Sequence, residues 1–292
     1  MKNLINYYYN LIISEFKKKN EIFVFKISES VYEFIPYYGN VDDLYKNYLL
    51  LINNKRYCHE IIYNKDNKII TIYNRKPYVL LKKNLIIQKN IDLNEIQNYI
   101  IPVYESKKLN WKRLWTEKND YYEFQINSFS NKYKLLKESI NYYIGLSELS
   151  INLLNYIDEN EIKYCVCHKR IEKNLKLDNF FNPVNLIIDS RTRDVAEYIK
   201  TNFFNETLDK TEVFSFFENI NYNNSEFIML LSRLIYPSYC FDIYDKIIDE
   251  KLTEEKLSLY IKKNNSYELF LKEIYNYLKN KYIFFQIEWF EN

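Results

Sequence analysis

The chain has 292 residues, a formal net charge of +2 from 41 basic and 39 acidic residues, and only 2 glycines. Loops that cradle phosphates against the backbone depend on glycine. A G-x-G-x-x-G fingerprint, a P-loop and a G-x-S-x-G nucleophile elbow are therefore excluded. Both signs of charge are interspersed along the chain, which disfavours nucleic acid as a partner.

Length and apolar content predict a packed protein of two lobes or two small domains, because 47% of the residues are hydrophobic. The first twenty residues lack a long apolar core and a cleavage site, so we expect neither a signal peptide nor a membrane span. Four cysteines in a chain of this length do not form a disulfide framework. These features predict a cytoplasmic protein without a membrane partner.

The first 83 residues carry the signals of a small β-rich domain. The predicted elements are a helix over 2–19, a hairpin over 22–38, a helix over 41–52, and strands over 56–63, 68–73 and 78–82. The lysine run at the end of the first helix suits a helix C-terminus. We expect a domain 1–83 in which a helix packs on a mixed five-stranded sheet.

The domain from 84 to 292 is predicted to be mainly helical. Its longest amphipathic pattern covers 134–157, and apolar helical spacing returns from residue 193 to residue 282. Two short β runs interrupt the helices, at 163–168 and at 184–189, with a polar loop between them. The segment 163–194 is therefore a strand-loop-strand unit inside a helical domain.

Three motifs follow one another in that unit: CHKRI at 167–171, NPVNLIID at 182–189 and SRTRDVAEY at 190–198. They resemble the catalytic segment of aminoglycoside phosphotransferases and of their spore-coat relatives of the CotS and YutH type. In those families an H-G-D motif is followed by an asparagine, a strand ending in a metal-binding aspartate, and D-L-A at the next helix. The resemblance implies an α+β, two-lobed protein-kinase-like fold with a β-rich N-lobe and a helical C-lobe.

The resemblance also implies roles for individual residues. His168 matches the catalytic-loop histidine, and Asp194 matches the structural aspartate of D-L-A. Asp189 matches the aspartate that binds the metal, and through it the nucleotide cofactor. Asn174 lies one residue before the position of the loop asparagine.

Two departures from the family pattern concern catalysis. Arg170 stands where the family has its catalytic aspartate, and a guanidinium stays protonated and cannot accept a proton. The turn from Ile27 to Val31 has no glycine and carries Glu29, and Lys26 is the one lysine near it that could contact a nucleotide.

These departures predict a catalytically impaired, kinase-like protein, a pseudokinase, that acts as a binding or scaffold module. By family resemblance it would have protein partners and a place in the bacterial spore coat. The alternative is an active, atypical ATP-dependent small-molecule phosphotransferase. In that case Glu172 or Asp178 would replace the missing base, Asp189 would bind the metal, and ATP and Mg²⁺ would be the cofactors.

The segment also carries possible ligands for zinc and for anions. Cys165 and Cys167 are on one face of their strand and His168 is on the other, which disfavours a zinc site. Arg170, Arg191 and Arg193 form the densest basic patch of the segment and predict an anion-binding surface.

Overall fold

The computed structural model of the protein describes residues 1–83, 89–104, 110–129, 132–171, 180–282 and 286–291. The chain divides into two compact units. The N-terminal unit comprises the described residues of 1–101, 168–170 and 174–188, and the C-terminal unit those of 102–167, 171–173 and 189–292. The N-terminal unit thus continues past residue 83 and includes part of the strand-loop-strand segment.

The N-terminal unit is built on an antiparallel sheet. Its elements are α1 Lys2–Tyr9, β1 Lys17–Lys19, β2 Ile22–Ile27, β3 Ser30–Pro36, α2 Val41–Asn53, β4 Glu60–Ile62, β5 Thr71–Tyr73, β6 Lys76–Lys83 and α3 Leu93–Asn98. The strand order is β1-β2-β3-β6-β4, and β5 also pairs with β6. Every pairing among these strands is antiparallel. The predicted mixed, five-stranded sheet is corrected to an antiparallel sheet of six strands.

The sixth strand comes from the lysine run that was predicted to end the first helix. Helix α1 ends at Tyr9 because Asn10 adopts a left-handed backbone conformation, with φ of 54°, and donates its N–H to the Asn6 carbonyl. Lys17–Lys19 then pairs with β2 at the edge of the sheet. Lysines at a sheet edge discourage pairing with further strands, so the same residues suit an edge strand as well as a helix end.

Alternation along the strands gives the sheet two apolar faces. On one face Phe34 and Tyr78 stack with ring centroids 4.5 Å apart, and Ile5 of α1 joins their cluster. On the other face Val79 packs with Leu44 of α2. The N-terminal unit therefore has one helix on each side of its sheet.

The remaining elements are mostly helices. They are α4 Trp111–Phe129, α5 Lys134–Leu153, a 3₁₀ turn Leu154–Tyr156, β7 Tyr164–His168, a 3₁₀ turn Pro183–Asn185, β8 Leu186–Ser190, α6 Arg193–Phe204, α7 Lys210–Asn219, α8 Asn224–Ile235, α9 Ser238–Ile248, α10 Glu255–Ile261, α11 Asn264–Lys281 and α12 Glu288–Glu291. Strands β7 and β8 form a two-stranded sheet. Among the described residues, no helix has the length and apolar character needed to cross a membrane.

Helix α8 lies at the centre of the C-terminal unit. All of its residues from Ser225 to Ile235 are buried, and it begins with a capping box between Asn223 and Glu226. Its Ser232 and Ser150 of α5 each donate a hydroxyl to the other's carbonyl, at 2.8 and 2.7 Å. These small side chains fix α8 against α5, and the charged side chains that α8 carries are therefore held inside the core.

Candidate functional site

The β-hairpins of the N-terminal unit have very short turns. Ser28 and Glu29 alone join β2 to β3, and Asn20 and Glu21 alone join β1 to β2. Ser28 and Asn20 have φ values of 54° and 55°, in the region that glycine occupies at lowest cost. A phosphate cradle needs a concave run of backbone N–H groups. A two-residue turn with a glutamate does not provide one.

The lysines of this sheet differ in burial. Lys26 is exposed on β2, where its partner in register is Val31. Lys83, at the end of β6, is only 4% exposed and lies 2.8 Å from the Glu33 carboxylate. The sequence gives no local signal for this buried ion pair, because Glu33 and Lys83 lie on different strands. A nucleotide contact of Lys26 stays a prediction.

His168 is buried at the end of β7 and contacts Phe180 twice. Its Nε2 lies 2.8 Å from the Phe180 carbonyl oxygen, and the two rings stack with centroids 3.9 Å apart. Because a carbonyl only accepts, Nε2 carries the hydrogen. The imidazole thus ties the end of β7 to a residue twelve positions later, which is a structural task.

The loop that follows His168 is exposed at its start. Arg170 donates from Nη1 to the Lys169 carbonyl at 3.2 Å, and Asn185 donates to the Arg170 carbonyl at 2.9 Å. Asn174 and the candidate bases Glu172 and Asp178 lie outside the described residues. The predicted roles of these loop residues therefore stay predictions.

Asp189, at the end of β8, is fully buried and accepts four hydrogen bonds. Its Oδ1 accepts from Trp111 Nε1 at 2.9 Å, from Arg233 Nη2 at 2.7 Å and from the Ser190 amide at 2.6 Å. Its Oδ2 accepts from Arg193 Nη1 at 2.7 Å. One carboxylate is thus shared by two guanidinium groups, an indole and a backbone amide.

Trp111 also lies against both cations. Its ring centroid is 4.6 Å from the Arg233 guanidinium and 5.4 Å from that of Arg193. Burial lowers the pKa of Arg233 and the charge of Arg193 adds to that effect, whereas Asp189 opposes it. Arginine nevertheless stays protonated at neutral pH. Two full positive charges therefore surround the Asp189 carboxylate.

This arrangement does not fit a magnesium ion. Mg²⁺ needs oxygen lone pairs in near-octahedral geometry, and a carboxylate has about four lone-pair sites. Asp189 Oδ1 already receives three donors and Oδ2 receives one, and two of the four donors are cations that repel a metal. In the described part of the chain, no three His, Cys, Asp or Glu side chains are grouped as metal ligands. The metal role of Asp189 stays a prediction from resemblance.

Two arginines of the predicted anion-binding patch, Arg191 and Arg193, are paired inside the protein, and an anion contact of Arg170 stays a prediction. Arg193 is paired with Asp189, and Arg191 donates from Nε to Glu226 at 2.5 Å while its guanidinium lies over the Tyr222 ring. The positive charges of both arginines are thus compensated inside the protein. Asp194 is buried in the first turn of α6, the position that the D-L-A resemblance implies for a structural aspartate.

Comparison with known proteins identifies the family. The sequence model of the family described as "Spore coat putative kinase YutH" matches residues 2–274. The chain belongs to this family. It is 25% identical over 272 residues to the endospore coat-associated protein YutH of Bacillus subtilis strain 168. This alignment covers 80% of this chain and 79% of that protein. The resemblance to the spore-coat relatives is confirmed.

Solved structures confirm the fold class of this family member. An aminoglycoside phosphotransferase from Alicyclobacillus acidocaldarius has a TM-score of 0.69 at 11% identity, with 96% of each chain covered. A spectinomycin phosphotransferase, solved with ADP and spectinomycin, has a TM-score of 0.58 at 15% identity, with 89% of this chain and 91% of that chain covered. At such identities the likeness concerns the fold, which is α+β and kinase-like.

Two residues of the Asp189 cluster were missed in the sequence. Arg233 is the sole charged residue between positions 227 and 241, and an arginine in a buried helix requires a buried acid. An isolated arginine in an apolar helix is therefore a sequence signal for an acid in the core. Trp111 is only partly buried, whereas Trp115 is buried in an aromatic stack, with its ring 4.2 Å from that of Tyr236.

Proposed function

We propose that this member of the spore-coat kinase family is a pseudokinase, a protein that keeps the kinase-like fold, does not transfer phosphoryl groups, and acts by binding partner proteins. The observation that carries the proposal is the state of Asp189. Its carboxylate, which in related phosphotransferases would bind the metal, is neutralised here by Arg193 and Arg233.

The chemistry of phosphoryl transfer explains why this pairing matters. Catalysis depends on positioning the phosphates and on neutralising their charge with Mg²⁺. A carboxylate that is already bound to two guanidiniums has little affinity left for a metal. Freeing it would take the carboxylate away from two buried cations, and breaking such a buried pair costs about 3–5 kcal/mol.

Two features of the N-terminal unit support the proposal independently. Arg170 occupies the position of the catalytic aspartate by resemblance, and its side chain cannot act as a base. By resemblance, the turn Ser28-Glu29 carries a carboxylate where a nucleotide would need amide donors. Losses of this kind each typically remove orders of magnitude from the rate of a phosphotransferase.

A place in the spore coat is the second half of the proposal. It is supported by the family description and by the Bacillus subtilis relative, which is named as endospore coat-associated. A scaffold needs a stable fold and a surface for partners, and neither depends on a catalytic base. We therefore assign this chain a binding role in coat assembly.

The catalytic half is tested by titrating the purified full-length chain with ATP, with and without Mg²⁺, while thermal unfolding and phosphate release are followed. A ligand at 100 times its Kd stabilises the folded state by about 2.7 kcal/mol. We expect no magnesium-dependent rise in Tm and no turnover. A metal-dependent rise accompanied by turnover overturns the proposal, and loss of that turnover in Glu172→Gln or Asp178→Asn establishes the active alternative.

The coat half is tested with a fluorescent fusion of the whole chain in sporulating cells. We expect the fluorescence to collect around the developing spore and the fusion to remain in the extracted coat fraction. Uniform fluorescence in the mother cell, with no protein in that fraction, contradicts coat association and leaves the catalytic half unaffected.

A further inference from the structure

Strand β7 brings two thiols together. Cys165 and Cys167 point to the same side of the strand, as residues two apart do, and their sulfur atoms are 3.4 Å apart. Both side chains are buried, with 2% and 1% of their surface exposed. Neither the kinase-like fold nor the proposed coat function uses this pair.

Backbone carbonyls of β8 lie beside the pair. Cys167 Sγ lies 3.4 Å from the Ser190 carbonyl oxygen and 3.8 Å from that of Asp189, so the thiol has acceptors for its hydrogen. Within the described residues there is no group of three potential metal ligands. Structural zinc takes four ligands in a tetrahedron, so the pair by itself is not a zinc site.

The distance between the sulfurs fits a bridging atom with a smaller bond angle than tetrahedral zinc has. Consider an atom X bonded to both sulfurs at about 2.3 Å, the length of a zinc–thiolate bond. With the sulfurs 3.4 Å apart, the S–X–S angle is about 95°. That angle is below the tetrahedral value and is typical of pyramidal, three-coordinate centres such as trivalent arsenic. We propose that Cys165 and Cys167 form a two-sulfur binding site for trivalent arsenicals.

The binding step is a condensation and needs no oxidant or reductant. An arsenical of the form R–As=O accepts both thiols, two As–S bonds form, and the arsenic–oxygen double bond is replaced. The two thiol hydrogens leave with the oxygen as one water molecule. The product is a ring closed through the backbone of residues 165 to 167, with arsenic still trivalent.

Burial determines the kinetics of this step. Because both sulfurs are inside the C-terminal unit, the reagent reaches them during local opening of the structure. Two linked thiols also hold arsenic more tightly than one, since the second bond forms within the molecule at a high effective concentration, typically worth a factor of about 10²–10⁴. The complex should therefore form slowly and dissociate slowly.

The test uses phenylarsine oxide on the reduced, full-length protein in native buffer, with intact mass as the readout. We expect one phenylarsine group per chain, gained with loss of one water. A dithiol reagent should remove it and an equal concentration of a monothiol should not, because only a chelating reagent competes with a chelating site. Labelling that appears only in denaturant overturns the proposal.

Matched variants locate the site. Cys167→Ala and Cys165→Ala should each lose the monothiol-resistant label, whereas Cys240→Ala, which removes another buried cysteine, and Cys58→Ala should keep it. Circular dichroism identifies any variant that has failed to fold, and the other member of the pair then gives the answer. Retention of the label in both folded pair variants contradicts the assignment.

Discussion

At the residue scale, Asp189 is a buried carboxylate held by charged donors from distant parts of the chain. Taking a carboxylate out of water is costly unless charged donors replace the water. Arg193, Arg233 and Trp111 supply those donors from two helices of the core and from the start of α4. The resulting cluster joins three helices to β8, so its effect is on folding.

Removal of the Asp189 carboxylate should destabilise the protein strongly. Asp189→Ala removes the carboxylate that pairs with two buried guanidiniums, and breaking a buried pair in this way costs about 3–5 kcal/mol. Urea denaturation followed by circular dichroism measures the loss. As a control, Glu117→Ala removes a carboxylate from the exposed pair with Arg113 and should change stability little.

The same variant allows a chemical rescue. Acetate or formate can bind between Arg193 and Arg233 in Asp189→Ala, because each supplies a carboxylate like the one that the substitution removes. We expect either anion to recover part of the lost stability, and chloride at the same ionic strength to recover less. Equal effects of all three salts would show that the cluster does not depend on a carboxylate.

At the element scale, short polar signals determine where helices begin. Asn40 caps α2 by accepting from the amides of Asp42 and Asp43, at 2.8 and 3.1 Å. The helix predicted over 41–52 is thus confirmed, and its cap is the residue just before it. Asparagine is as good a cap as aspartate.

Loss of this cap gives the second prediction. Asn40→Ala should lower the free energy of unfolding by about 1 kcal/mol, because two amides lose their acceptor. Asn40→Asp should keep the stability of the native chain, since a carboxylate accepts the same hydrogen bonds. Denaturant midpoints of the three proteins measure this, and equal midpoints for Ala and Asp would contradict the capping role.

The β2–β3 turn gives the third prediction. Ser28 has φ of 54°, a backbone conformation that costs a residue with a side chain about 1–2 kcal/mol. Glycine avoids this strain but loses more chain entropy on folding, so the two effects partly cancel. We expect Ser28→Gly to raise the free energy of unfolding by about 0.5 kcal/mol. Ser30→Gly, in the extended backbone of β3, should lower it. Destabilisation by both changes would contradict strain at Ser28.

At the scale of the whole molecule, the abundance of tyrosine makes stability sensitive to alkali. The chain has 31 tyrosines, and burial raises the pKa of many, including Tyr222 and Tyr267. Burial also raises the pKa of Tyr9 to about 12, and its hydrogen bond with Thr71 opposes the shift. Above about pH 10 an unfolded tyrosine loses its proton while a buried one keeps it. The folded state then binds more protons, so stability falls as pH rises.

This pH dependence gives the fourth prediction. We expect one group of tyrosines to ionise reversibly near pH 10, and a second group to ionise only together with loss of ellipticity at higher pH. Phenolate absorbance and circular dichroism, recorded on the same samples, measure both. Tyr267→Phe should reduce the second group by one. Complete ionisation with ellipticity unchanged would contradict the burial of these side chains.

The sequence by itself determined the family and most of the elements, but not the edge strand at 17–19. Periodicity located helices α2, α5, α6, α8 and α11, since an amphipathic stripe depends only on residue spacing. Motif order placed Asp189 at a strand end and Asp194 at a helix start. These properties are local, so neighbouring residues suffice to encode them.

Only the tertiary structure decided which charges meet. Arg233 is 44 residues from Asp189 and Trp111 is 78 residues away, and no local pattern links them. The lysine run at 17–19 was ambiguous for the same reason, because its place at a sheet edge depends on β2. Pairings between distant segments are fixed by packing of the whole core, and the role of Asp189 is one of those pairings.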